Sequence, residues 1–227
     1  MKKVVFVVAI GLLCLGLTVF AQQKGQPAQP KAAPPPTAKA APQMTPEQKA
    51  AMDKMIKAAT PGPEHKFLAS FAGTWKAEVK WWENASAQPE ISTGTSEEKM
   101  ILGGRFLYST YKGTAMGKPF EGVGLVGFDN VLKKFQGVWV DTMGTTMMTV
   151  VGDLDKTGTT LTLTDTYTDS QTGKVETLRD VEKLVDKDKK IDQMYAKGKD
   201  GKEFLMMEMT YVREAAPAAA PKPKSPK

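Results

Sequence analysis

Phe71-Ala72-Gly73-Thr74-Trp75-Lys76-Ala77-Glu78-Val79-Lys80-Trp81 is the stretch that decides the fold. Trp75, Ala77, Val79 and Trp81 alternate with Lys76, Glu78 and Lys80, the period-two pattern of a half-buried β-strand. From here to Arg213 that period persists. Strand-like runs follow at Ser92–Leu102, Arg105–Lys112, Phe120–Asp129, Lys134–Asp141, Thr145–Asp153, Thr159–Thr168, Lys174–Val185, Lys190–Lys197 and Glu203–Arg213. Gly103-Gly104, Met116-Gly117-Lys118-Pro119, Asp129-Asn130, Lys156-Thr157-Gly158, Gln171-Thr172-Gly173 and Asp200-Gly201 supply the turns. About ten strands joined by tight turns, with no long helix between them, form an antiparallel meander. Closure removes its exposed edges, so the expected fold is all-β, an up-and-down barrel. A two-sheet sandwich is the competing arrangement.

Working outward towards the N-terminus, two short helices precede the strands. Thr45-Pro46-Glu47-Gln48 has an N-cap threonine, proline at the first helical position and a capping-box glutamine. Met52, Met55, Ile56 and Ala59 then form an apolar stripe, and Thr60-Pro61-Gly62-Pro63 ends the helix. Glu64 to Phe71 reads as a second helix, with Phe67, Leu68 and Phe71 on one side. The helices are expected to cap one barrel end.

The chain ends say where the protein works. Lys2 and Lys3 precede an apolar run from Val4 to Phe20, and Val19-Phe20-Ala21 suits signal-peptide cleavage before Gln22. The run, about 17 residues, is short against the roughly 20 of a transmembrane span. Residues 1–21 are therefore expected to be a signal peptide and the mature protein periplasmic or secreted, from a bacterium. Cys14 is the sole cysteine, and Leu13 before it is too large for a lipoprotein site. Cleavage leaves no thiol, which excludes disulfides and cysteine chemistry. Residues 22–43 and 214–227 are rich in Pro, Ala and Lys and cannot bury enough apolar surface to fold. They read as a linker and a tail around one domain, 44–213.

The net charge of +6 resides in these ends, whereas the domain is close to balance. That composition argues against nucleic acid as a partner. The basic tails suit weak contact with an anionic envelope surface.

Signals for catalysis are sparse. His65 is the only histidine, so a multi-histidine metal centre is excluded. Its place at a helix start suits a solvated or capping role. Asp153-Leu-Asp155-Lys-Thr-Gly158 lacks the acidic twelfth position of a calcium loop and reads as a hairpin turn. No G-x-S-x-G elbow or G-x-G-x-x-G loop is present. Glu97-Glu98 and Asp186 with Asp188 read as charged surface. No metal, cofactor or enzymatic activity is expected.

Polar residues among apolar strand neighbours attract more interest. Asp141 follows Phe135, Gly137 and Trp139 on one face, and Arg105 is in phase with Leu107, Ser109 and Tyr111. Arg179 shares a face with Val175, Thr177 and Val181. If these faces point inward, Arg105 or Arg179 pairs with Asp141, because buried charges require partners. Such a pair orients a ligand head or plugs the barrel. Gly122 and Gly124, on the face of Phe120, Val126 and Phe128, suit a barrel corner near Trp75. Methionines at 143, 147, 148, 194, 206, 207 and 209 suit an adaptable apolar lining or an irregular core. Thr160, Thr162, Thr164, Thr166 and Thr168 form a solvent face opposite Leu161, Leu163 and Tyr167.

Several spaced motifs then carry a family resemblance. Pro63-Glu-His-Lys-Phe-Leu68 leads into Ala72-Gly-Thr-Trp75, followed by Gly103-Gly-Arg-Phe-Leu107, Phe120-Glu-Gly-Val-Gly124, Gly127-Phe-Asp129 and Trp139-Val-Asp141. Over His65 to Arg213 this resembles the bacterial family catalogued as domain of unknown function 1579. The resemblance implies a calycin-like, lipocalin-like barrel and brings no established activity. Gly73-Thr-Trp75 is also similar to the opening of the haem-binding nitrobindins. Those barrels use a proximal histidine on a late strand, which this chain lacks, so that likeness extends to fold alone.

The reading that follows is non-covalent binding of a small hydrophobic or amphipathic ligand. Trp75, Tyr111, Phe128 and Trp139 are the candidate lining, with Arg105 and Asp141 as polar anchors. The alternative is an envelope structural or interaction protein whose barrel is filled by its own side chains.

Overall fold

The computed structural model describes residues 44–215; the expected signal peptide, the linker and all but the first two tail residues lie outside that range. Two helices, α1 (Pro46–Ala59) and α2 (Pro63–Ser70), precede ten strands. These are β1 (Gly73–Trp81), β2 (Glu90–Ile101), β3 (Phe106–Ala115), β4 (Lys118–Asp129) and β5 (Lys134–Asp141). Then come β6 (Met148–Leu154), β7 (Thr160–Thr168), β8 (Val175–Asp186), β9 (Lys189–Lys197) and β10 (Glu203–Arg213). Each strand pairs antiparallel with the next, and β1 pairs with β10 to close the barrel. The up-and-down barrel expected from the alternation is thus present, not the sandwich.

Closure divides each strand into an inner and an outer face. On β1 the inner set is Trp75, Ala77 and Val79, all buried. On β7 it is Leu161, Leu163 and Asp165, with Thr162 and Thr164 exposed opposite them. The methionines at 207 and 209 pack against Trp75, Tyr111 and Tyr211.

The two helices behave differently. Leu68 and Phe71, each 1% exposed, meet Leu107, Phe135, Val150, Leu161 and Leu163 from four strands, so α2 closes one barrel mouth. The plug is locked by Trp75, whose indole N–H donates to the Phe71 carbonyl (2.8 Å). Arg213 adds to this lock. Its guanidinium lies 3.9 Å from the Trp75 ring centroid and donates to the carbonyls of Ala72 and Ser70, which end the α2 segment.

The first helix does not cap the barrel. It has the expected N-cap and capping box at Thr45 and Gln48 but buries no residue. Met55 and Ile56 are more than half exposed. Its tether is Asn130, whose amide donates to the carbonyls of Ala58 and Thr60. The apolar side chains buried in the mouth, Leu68 and Phe71, come from α2 and its C-cap, not from α1.

His65 is 5% exposed and is a capping residue, not a solvated one. Its Nδ1 accepts from the Gly62 N–H (3.0 Å), and its ring meets Phe128 edge-on at 6.0 Å. Burial lowers its pKa. Asp155 folds its carboxylate back onto the amides of Thr159 and Thr160, making the hairpin turn between β6 and β7.

Candidate functional site: the barrel lumen

Above the α2 plug the lumen holds a cavity of about 480 Å³. Leu68 lies at the plugged end, and the lining extends to Trp81, Glu90, Thr114, Met116 and Met143. The last four are exposed, so the cavity opens at the end away from α2. Its volume falls within the roughly 300–1,000 Å³ of small-molecule sites.

Trp139 stands near the open end. Gly122 and Gly124 of β4 make room for it: a Cβ on Gly122 would overlap the indole, and one on Gly124 would lie 3.2 Å from it. These glycines therefore admit Trp139; the neighbour expected from sequence was Trp75. The Trp139 Nε1 donates to Asp141 Oδ2 (2.9 Å), while Asp141 Oδ1 accepts from the Met143 amide (2.9 Å). Both Asp141 oxygens thus have protein donors, and the carboxylate braces the ring.

The deeper wall is acidic. Asp165 of β7, Asp180 and Glu182 of β8, Asp192 of β9 and Glu98 of β2 all line the cavity, together with Lys190 of β9. Register explains the grouping. Glu182 is the direct cross-strand partner of Asp192, and Asp180 stands opposite Leu163, two residues from Asp165. Lys190 pairs with Glu98, which also accepts from Ser96 Oγ (3.0 Å). The Lys190 ammonium lies 4.4 Å from the Tyr211 ring centroid.

Among the described residues the other four carboxylates have no cation of their own. Oxygens of Asp180, Glu182 and Asp192 lie within 4.8 Å of one another. Asp165 is 1% exposed, and neither of its oxygens has a hydrogen-bond partner. Asp180 Oδ1, Asp192 Oδ1 and the Tyr111 hydroxyl also lack partners. Burial, reinforced by the Asp192 charge, pushes the Asp165 pKa up to about 7. The same two causes push Glu182 up to about 8, against the pull of Lys190. Asp180 is raised well above the carboxylate range, foremost by burial. Burial also raises Asp192, opposed by its hydrogen bond with Asp180. Glu182 and Asp192 keep some accessible surface, and their carboxylates face the cavity. Three hard oxygen donors at this spacing also suit a Mg²⁺- or Ca²⁺-type ion.

Comparison with known proteins adds family and fold. A family described as "Protein of unknown function (DUF1579)" matches residues 60–213. The chain belongs to this family. Among solved structures it is similar to the crystal structure of Rv2717c from M. tuberculosis, with 17% identity and a TM-score of 0.53. That match covers 69% of this chain and 100% of the other, and at such identity the likeness is one of fold. A redesigned beta barrel is 16% identical with a TM-score of 0.36, over 65% of this chain and 95% of the other. No curated protein matches the chain.

In this DUF1579 barrel the six residues singled out from sequence separate. Tyr111, Trp139 and Asp141 line the cavity. Trp75 is fully buried beneath Arg213, and Phe128 packs against Phe135 and His65 beside the α2 plug, so both serve the closed end. Arg105 is outside the lumen. It lies exposed in the turn before β3 and donates to the Leu102 carbonyl (3.0 Å), because the strand begins one residue later.

The expected pairing of Arg105 or Arg179 with Asp141 does not form. Arg179 points outward, where it grips Glu203 through Nε and Nη2 and stacks 4.0 Å from the Tyr195 ring centroid. The opposite face of β8, carrying Leu178, Asp180 and Glu182, is the inner one. Glu98 is likewise buried, whereas Glu97, Asp186 and Asp188 are surface charges as expected. The acidic wall was missed in sequence. Its one legible sign is Asp165, in period-two phase with Leu161 and Leu163.

Proposed function

We propose that this protein binds a small amphipathic molecule non-covalently in the barrel lumen. The observation that carries the reading is the cavity of about 480 Å³, open at one end and closed by α2 at the other. Methionine and aromatic side chains give it an adaptable apolar wall, while polar groups converge at depth. The binding does its work outside the cytoplasm, in the periplasm or after secretion, as the Lys2-Lys3 and Val4-to-Phe20 pattern indicates. The basic ends assist as solubilising tethers or as weak contacts to an anionic envelope.

Native mass spectrometry of the protein purified gently from its own envelope fraction tests this reading. A reproducible extra mass that is lost on denaturation is the expected result. An apo mass, combined with no uptake of the neutral dye Nile red by the folded protein, would overturn it.

A further inference from the structure

The lumen already holds one primary ammonium. Lys190 is 8% exposed, its Nζ on Glu98 and its charge against the faces of Tyr211, Phe71 and Trp75. A carboxylate and aromatic faces together satisfy a desolvated cation. Beside this pair stand four more carboxylates, Asp165, Asp180, Glu182 and Asp192, with no ammonium or guanidinium of their own among the described residues.

Beyond the charge count, two unpartnered buried groups point to an occupant. Asp165 is 99% buried by its 1% exposure, lines the cavity and leaves both oxygens without a partner. The Tyr111 hydroxyl, on β3, is also buried, unpartnered and on the cavity wall. Buried polar atoms are nearly always hydrogen-bonded, so orphans grouped around one cavity call for partners within it, from a ligand or from water.

We infer that the lumen is an organic-amine site, in which the ammonium of an amphipathic ligand sits among Asp180, Glu182 and Asp192 beside Asp165. Its apolar body extends past Met194 and Met207 towards Trp139. This identification rests on the proposed lumen binding and specifies its chemistry.

Geometry favours an amine over an anion or a neutral head. Ionised carboxylates are acceptors only, and a primary ammonium offers three donors. Oxygens within 4.8 Å of one another leave a central point at hydrogen-bond distance from all three. An anionic head would add charge to a wall already in surplus. A bare divalent ion would satisfy the carboxylates but leave the apolar remainder of the cavity unused. Ammonium binding also replaces the protons that Asp165 and Glu182 hold near neutral pH, so binding releases protons. The groups facing this exchange are Asp165, Asp180, Glu182, Lys190, Asp192, Glu98 and Tyr211.

Calorimetric titration of the full protein at pH 8 with n-octylamine, n-octanol, octanoate and MnCl₂ separates the possibilities. Octylamine is expected to bind at least about tenfold tighter than octanol, the difference between a charge-assisted hydrogen bond and a neutral one. Asp180→Asn and Asp165→Asn should each remove that preference, with near-UV circular dichroism verifying the fold. Proton release should appear as a dependence of the octylamine heat on buffer ionisation enthalpy. Equal binding of octylamine and octanol would overturn the amine assignment and leave lumen binding standing. Binding of none of the three octyl compounds would overturn both. Mn²⁺ binding tighter than octylamine, and lost in Asp180→Asn, would assign the wall to a metal ion and overturn the amine site.

Discussion

Glu182 on β8 stands directly opposite Asp192 on β9, and both carboxylates face the barrel lumen. Like charges opposed across a strand pair are destabilising, and burial magnifies the effect. The barrel meets this by holding protons: Glu182 is pushed up to about 8 by burial and the Asp192 charge, and burial raises Asp180 and Asp192 as well. An interior built this way loses stability as those protons are released.

The pH dependence of stability follows in sign. Asp165 rises from 3.8 to about 7 and Glu182 from 4.5 to about 8 on folding. Between those limits the folded protein holds protons that the unfolded chain has released. Stability is therefore fullest below the unfolded values and falls as pH rises towards the folded ones. Melting temperature is expected to drop steadily from pH 5 to pH 8. Asp165→Asn should flatten that slope; an unchanged slope would show that Asp165 does not titrate in the folded barrel.

Lys190 and Glu98 form a buried pair, with side chains 9% and 5% exposed. Lys190→Met leaves Glu98 uncompensated and is expected to cost about 3–5 kcal/mol. Adding Glu98→Gln should restore most of that loss. Urea unfolding of the two single variants and the double variant measures the coupling.

Arg213 covers Trp75 and donates to two carbonyls at the end of α2. Arg213→Ala exposes the indole and leaves those carbonyls without their donor. A loss of about 2–3 kcal/mol is expected from hydrogen bonds to a charged donor. Arg105→Ala, at an exposed turn, should stay within about 0.5 kcal/mol of the parent in the same assay.

Gly122 lies against the Trp139 ring. Gly122→Val is expected to cost about 1–3 kcal/mol through overpacking. It should also separate Trp139 from Asp141. The emission of Trp139 reports this directly in a variant where the other three tryptophans are phenylalanine.

Deleting Met44 to Ala59 removes α1, which buries no residue. The barrel's unfolding free energy is expected to change by no more than about 1 kcal/mol, the scale of the one Asn130 hydrogen bond, to Ala58, that is lost. A larger loss would mean that α1 packs on the domain in solution.

Strand positions were legible because period-two alternation and turn residues are local properties. The Lys134–Asp141 strand was bounded from sequence as the structure has it. The face that a strand turns inward was legible only where one side was plainly apolar, as on β1 and β7. On β8 the rule misleads. Val175, Thr177 and Val181 make the outer face the more apolar, and the inner face carries Asp180 and Glu182. Sites that bind polar groups break the pattern that folding alone would favour.

The sequence by itself therefore determined the alternation, the turns, the α2 plug residues Leu68 and Phe71, and through these a closed barrel. Only tertiary structure decided which carboxylates meet. Residues 98, 165, 180, 182 and 192 lie on four strands, and their convergence depends on barrel register. Register is a long-range property: a slip of one residue would turn each side chain to the other face and disperse the acidic wall into solvent.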